Sequence, residues 1–271
     1  MRFLIVLLAA PAAAQVSMDT LNAVAWTQTS VEYRASAMQA WSAARRVLPQ
    51  ALKKKSWTAA LEQTGKFKKL PPAIIVDIDE TVLDNSPVQA RFLLEGDGRY
   101  STKQWEQWTS EAKARPVPGA AEFLKEAASR GVTVFYVSNR GAKENAGTKA
   151  NLEAHGFPIA AEARGGLGDS VLLREEREGW SGDKSSRRAA VAAHYRVILL
   201  CGDDLGDFMP ARKPREERDK DAAQYMSWFG ERWIVLPNPM YGSWEDTLSG
   251  FDRSLTAEQA RENKLKALRR D

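Results

Sequence analysis

A single cysteine among 271 residues, Cys201, rules out an intrachain disulfide framework, so the fold must be held by its core. Cys201 sits in the apolar run 197–201 and reads as a small buried hydrophobe. Long hydrophobic runs are also missing. The apolar segment 3–10 is too short for a permanent membrane-spanning helix. Strong charge of either sign is absent, since 39 Lys and Arg against 35 Asp and Glu leave a net +4. The basic residues are scattered apart from 53–55 and 269–270, which read as solvated helix faces or ends. A nucleic-acid polymer is therefore not an expected partner. No internal repeat is visible.

The N-terminus carries a processing pattern. Arg2 is followed by the apolar stretch 3–10 and by small residues ending in Ala12-x-Ala14, which predicts a signal peptide over 1–14 and a mature chain from Gln15. Its removal takes away one Arg and no acid, which lowers the net charge from +4 to +3. No Cys stands at the cleavage point, so no stable membrane anchor is expected. The protein is expected to be exported, either to a periplasm or to the medium.

What is present is an ordinary globular composition, 44% hydrophobic and 27% charged, with nine Trp and nine Phe to fill a core. Short apolar runs alternate with helical patterns. Strands are predicted at 74–76, 132–137, 157–160, 197–201 and 233–236. Helices are predicted over 18–48 (ended by Pro49), 56–63, 101–113, 119–129, 143–154, 184–194, 222–229 and 255–270. The first has two apolar stripes, which suggests packing on both sides. Residues 172–179 resist assignment, and 212–221 reads as a mobile polar stretch. The alternation predicts an α/β fold with a doubly wound parallel sheet. Residues 15–271 read as one unit: a core over about 69–87 and 116–250, a smaller helical cap over about 16–68 and 88–115, and a terminal helix at 255–270.

Three strand ends carry polar groups in a row: Asp77/Asp79, Ser138-Asn139, and Asp203/Asp204/Asp207. In a parallel sheet they face one edge, where such folds place their ligands. Up to five carboxylates would meet there, and they cannot all be ionised without a cation. Oxygen-rich sites favour hard cations. One or two carboxylates plus phosphate oxygens are the usual setting for Mg²⁺, which suits a nucleophilic Asp and an anionic substrate.

At this point the motifs resemble a known family. D-x-D-x-T-V after a strand, Ser after the second, Lys at the head of a later helix and G-D-D-x-x-D after another resemble the haloacid dehalogenase superfamily. WTQTSVEYRA (26–35), DIDETVLDNS (77–86), FYVSNR (135–140), GDDLGDF (202–208) and LPNPMYGSWE (236–245) narrow this to the bacterial class C (subfamily IIIB) acid phosphatases, which include 5'-nucleotidase lipoproteins. The likeness runs from about 21 to 248. Two departures stand out: the lipoprotein Cys is missing, and Asp204 stands where the family usually has Asn.

The resemblance implies a Mg²⁺-dependent acid phosphatase acting on small phosphate monoesters such as nucleotides through a phosphoaspartate. Asp77 would be the nucleophile and a metal ligand. Asp79 would be the general acid and base, its backbone carbonyl also reaching the metal. Asp203 would be the second metal carboxylate, with Asp207 and Asp204 reaching it through water. Ser138 and the Asn139 amide would hold the phosphoryl oxygens, and Lys184 would neutralise their charge. Trp105, Trp108 and Tyr241 resemble the family's base-stacking aromatics, although the spacing of Trp105 and Trp108 equally suits core packing. Pairing as a homodimer is in keeping with the family.

Other readings stay open. A phosphotransferase would use the same intermediate, and a silent binding or storage protein the same fold. Phosphohistidine chemistry is disfavoured, because neither His155 nor His194 lies in an arginine-bearing motif.

Overall fold

The computed structural model describes residues 19–96, 98–252 and 254–270, so the expected signal peptide lies outside the described residues. The chain begins with α1 (Leu21–Thr29) and α2 (Val31–Lys53), then enters β1 (Pro72–Val76). A short ribbon strand, β2 (Leu83–Asp84), leads out to α3 (Ser86–Glu95) and α4 (Thr102–Glu111), and β3 (Arg115–Pro116) returns antiparallel to it. Next come α5 (Ala120–Ser129), β4 (Thr133–Gly141), α6 (Asn145–Ala154), β5 (Val171–Arg174), α7 (Ser185–Ala192) and β6 (Arg196–Gly202). The chain finishes with α8 (Arg215–Ala223), β7 (Trp233–Val235), α9 (Ser243–Asp246) and α10 (Ala257–Ala267).

Five strands form one parallel sheet in the order β5-β4-β1-β6-β7. From β1 the chain builds outward through β4 and β5, then returns to the other side of β1 with β6 and β7. That reversal opens a crevice beyond the carboxyl end of β1. Both faces are covered, as a doubly wound sheet requires. Ile74, Val76, Val134 and Tyr136 face one core, and Ala73, Ile75, Phe135 and Val137 face the other. The period of two follows from the pleat, and each large apolar side chain so buried stabilises by about 1.5–3 kcal/mol. A slip between Ala73 and Ile74 against β6 puts the consecutive residues Ile198 and Leu199 on the same face.

Several elements differ from expectation. The helix expected over 18–48 breaks at Ser30, whose hydroxyl accepts from the Tyr33 amide at 3.0 Å and caps a new helix. Pro49 lies inside α2 instead of ending it. Leu48 and Ala51 beside it are fully buried, and their packing offsets the hydrogen bond the proline cannot make. Of the two apolar stripes only one is buried; Val31 and Met38 on the other are exposed. With its buried face, α2 joins α5 against the sheet rather than the cap helices, and Trp41 stacks on Phe123 at 5.5 Å.

Residues 56–63 form no helix. Their polar groups are taken up by the free half of β6: Ala59 donates to the Val197 carbonyl at 2.8 Å, and Gln63 accepts from the Val197 amide at 3.0 Å. The strand expected at 157–160 lies instead at β5, which runs into the stretch that resisted assignment. The polar stretch expected to be mobile forms α8, with Glu216 and Glu217 in its first turn and Lys220 in its last, as the helix dipole favours. Residues 226–228 are a single 3-10 turn, so the helix expected over 222–229 is not continuous.

Two helices, α3 and α4, stand over the carboxyl edge of the sheet. α1 packs on α3, and α4 packs on α6. Gly147 of α6 permits the second contact, because a Cβ there would collide with the Thr109 carbonyl of α4. Among the described residues, no helix is long and apolar enough to cross a membrane.

Candidate active site

Beyond Val76 the chain is still tied to the sheet, for the Asp77 amide donates to the Cys201 carbonyl at 2.9 Å. This holds the Asp77 side chain at the crevice, where it is buried. The neighbouring strand end brings Asp203 and, after one 3-10 turn, Asp207. Asp77, Asp203 and Asp207 each offer an oxygen within 4.8 Å of the others. Gly202 makes the return of Asp207 sterically feasible, since a Cβ at that position would strike its carboxylate. Thr81 donates to Asp203 at 3.0 Å and Asn238 does so at 2.8 Å, which orients that carboxylate.

One resident cation serves this trio. Lys184, at the head of α7, donates to Asp77 and to Asp207, the latter at 2.6 Å. Burial pushes the Asp77 carboxyl up to about 7, against the pull of the Lys184 ammonium. Burial and the Asp207 and Asp77 charges push Asp203 well above the ordinary carboxylate range. Burial likewise raises Asp207, again against Lys184. For Lys184, burial works to lower its pKa, but the Asp207 and Asp77 charges outweigh it and hold the ammonium. Three clustered carboxylates with one ammonium leave a deficit of positive charge, and an all-oxygen donor set suits a hard divalent cation.

Asp79 lies on a second network. Its Oδ1 accepts from Arg140 (Nη2 at 2.8 Å, Nε at 3.0 Å) and from Asn85 at 2.8 Å. Ser138 donates to its Oδ2 at 3.3 Å. The Asn85 amide cannot be flipped, because its oxygen accepts from the Trp108 indole N–H at 2.7 Å, a group that only donates. Between Asp79 and Asn85, the buried Glu80 adopts a left-handed backbone at φ 57°. It accepts from the Asn85 backbone N–H at 2.7 Å and from the Tyr241 hydroxyl. Burial, together with the Asp79 charge, raises its carboxyl well above the usual range.

The Ser138–Asn139 side of the crevice is braced from behind. At the register slip between Ser138 and Gly141, Asn139 is exposed while Ser138 and Arg140 are buried. The fully buried Arg187 donates to the Ser138 carbonyl, to Asn139 Oδ1 at 2.5 Å and to the Ser181 carbonyl at 2.7 Å. In a trans peptide the carbonyl and the next N–H point in opposite directions, so this grip turns the Asn139 N–H away from Arg187. Burial lowers the Arg187 guanidinium to about 10.

Asp77, Asp79, Ser138, Asn139, Lys184, Asp203 and Asp207 thus meet at one sheet edge. Asp204 does not join the carboxylate trio. Its oxygens accept from Gly206 N at 2.7 Å, Ser243 N at 2.6 Å and Ser243 Oγ at 2.7 Å, so it caps a turn and ties down the start of α9. Trp108 is a core residue, 4% exposed, and its ring has no open face for a ligand. Trp105 and Tyr241 are half-buried, and the Arg140 guanidinium lies 5.7 Å from the Trp105 ring. Sequence reading missed Arg140, Asn85 and Arg187. Arg140 and Asn85 lie inside the quoted motifs without a role, and Arg187 falls within the helix expected over 184–194 without one.

The comparisons agree with this architecture. A family model described as HAD superfamily, subfamily IIIB (acid phosphatase), matches residues 6–244. The class C acid phosphatase from Bacillus anthracis is 31% identical with a TM-score of 0.81, covering 95% of this chain and 99% of that one. Its tungstate-bound crystal structure gives 30% identity and a TM-score of 0.80. The stem 28 kDa and stem 31 kDa glycoproteins of Glycine max are 20% and 23% identical, and the match spans 58% of the length of each.

Proposed function

The chain belongs to the HAD superfamily, subfamily IIIB, the acid phosphatases, and on that basis we propose that it hydrolyses small phosphate monoesters, nucleoside 5'-monophosphates among them, through a phosphoaspartate. The observation that carries this reading is Asp77 at the strand end, held by Lys184 beside Asp203 and Asp207. Phosphoryl transfer depends mostly on positioning and charge neutralisation, and this arrangement supplies both.

Asp77 Oδ attacks phosphorus, and the new P–O bond forms as the ester P–O bond breaks. Asp79 gives its proton to the leaving alkoxide. It then takes a proton from the water that cleaves the phosphoaspartate, which returns Asp77 and releases inorganic phosphate. Ser138 Oγ and the Asn139 N–H hold the phosphoryl oxygens. Lys184 offsets charge on the nucleophile and on the transferred group. Asp77, Asp203 and Asp207, with the Asp79 backbone carbonyl, would hold Mg²⁺, which when bound supplies further charge neutralisation. The half-buried Trp105 and Tyr241 would stack on a nucleoside base. A signal peptide over 1–14, as the sequence pattern predicts, would put the activity in a periplasm or outside the cell.

A phosphate-release screen over nucleotides, sugar phosphates and aryl phosphates, with and without EDTA, tests this. Activity on several monoesters, loss with EDTA and recovery with Mg²⁺ are expected. Asp77→Asn should abolish turnover with the fold intact by circular dichroism. Full hydrolysis by that variant would reject the nucleophile, and activity indifferent to EDTA would reject the metal.

A further inference from the structure

Asp79 is held asymmetrically. Three donor contacts converge on Oδ1 at 2.8–3.0 Å, while Oδ2 has only the Arg140 Nε and Ser138 Oγ contacts, both at 3.3 Å. One oxygen is anchored and the other is loosely held on the side of Ser138.

The anchor is itself fixed. Arg140 is 3% exposed, its Nη1 donates to Thr148 Oγ1 at 3.0 Å, and the Trp105 ring lies 5.7 Å from its guanidinium. Asn85 holds the same carboxylate oxygen in a flip-resistant orientation. A planar guanidinium has a rigid fork, so two of its N–H groups define the plane and rotation of the carboxylate they grip.

We propose that Arg140 is a positioning residue for proton transfer: it fixes Asp79 through Oδ1 and leaves Oδ2 to deliver the proton to the leaving oxygen. The inference rests on the acid–base role given to Asp79 above. A plain structural role, neutralising a buried acidic cluster, would require charge but no particular fork.

The test compares kcat/KM for p-nitrophenyl phosphate, whose leaving group departs without a proton, and for an alkyl monoester, whose leaving group needs one. This ratio covers steps only through phosphoryl transfer to Asp77, so the later base role of Asp79 drops out. Arg140→Lys and Arg140→Gln should lose on the order of 100-fold on the alkyl ester and less than tenfold on the aryl ester. Asp79→Asn is the reference. If that variant loses equally on both esters, the acid role of Asp79 falls and the Arg140 inference with it. If Asp79→Asn discriminates and the Arg140 variants lose equally on both, the Arg140 inference alone is overturned. Thr148→Val keeps every charge and nearly every atom, and it carries the test if neither Arg140 variant folds. A several-fold loss confined to the alkyl ester is expected from it, and an equal loss or none overturns the proposal.

Discussion

Asp207 lies 2.6 Å from the Lys184 ammonium, which donates at the same time to Asp77. One buried cation therefore restrains two of three clustered carboxylates. Removing one partner from a buried ion pair costs about 3–5 kcal/mol, because the other charge is left uncompensated. Lys184→Met should lower the unfolding free energy of the metal-free protein by about 3 kcal/mol in urea titrations. Mg²⁺ should restore more stability to the variant than it adds to the wild type. An equal gain in both would show that lysine and metal do not offset the same charge.

The acidic trio also sets a pH dependence. Asp203 is raised above the ordinary unfolded value of about 3.9. The folded chain then holds a proton that the unfolded chain has lost, so the stability this proton supports is present below pH ~4 and drains away as pH rises. Asp203→Asn has no such proton to lose. In chelator, its stability relative to wild type should therefore improve between pH 4.5 and 7. Thermal melts at the two pH values measure this, and an unchanged difference would mean that Asp203 ionises as freely as in water.

The two tryptophans of α4 should separate cleanly. Trp108→Ala opens a cavity in the core and removes the short hydrogen bond to the Asn85 oxygen, and it should destabilise by about 3–5 kcal/mol. Trp105→Ala should cost less stability but raise KM for a nucleoside monophosphate about tenfold, with little change in KM for a small alkyl phosphate. Melts and steady-state kinetics on both variants decide. The opposite pattern would reverse the assignments.

Far from the site, Arg196 donates to the carbonyls of Ala51, Leu52, Lys54 and Trp57 at 2.8–3.2 Å. It caps the end of α2, where carbonyls have no helical partner. Arg196→Met should cost about 3 kcal/mol by taking the side-chain donor from the carbonyls of the buried Ala51 and Trp57. Because Arg196 begins β6 and the site lies at its other end, KM should be unchanged. Denaturant curves paired with kinetics check both halves.

The strand ends were legible because an apolar run leading straight into carboxylates buries charge, and a folded chain tolerates that only where a cation meets it. Asp77 and Asp203 carry that signal in short stretches of chain, whereas Lys184 is legible only through the family resemblance. β5 was not legible, since Val171–Leu173 lies between polar Ser170 and charged Arg174, too short to show a period. Residues 56–63 resemble a helix by composition. Their conformation is decided by the unpaired edge of β6, more than 130 residues away. The grip on Asp79 is illegible for the same reason. Asn85, Arg140 and Thr148 have no common spacing, and only folding brings their polar groups to one carboxylate.

Lys184 and Arg187 stand three residues apart at the start of α7, close to one helical turn. Each residue advances the helix by about 100°, so the pair shares a face. A single turn thus sets both the cation at Asp77 and the brace behind Ser138 and Asn139. The interval between them acts as a ruler. Positions 185 and 186 can change identity, but one residue gained or lost there would swing Arg187 about a quarter turn off target. The site is thereby more sensitive to an insertion or deletion at this point than to most substitutions.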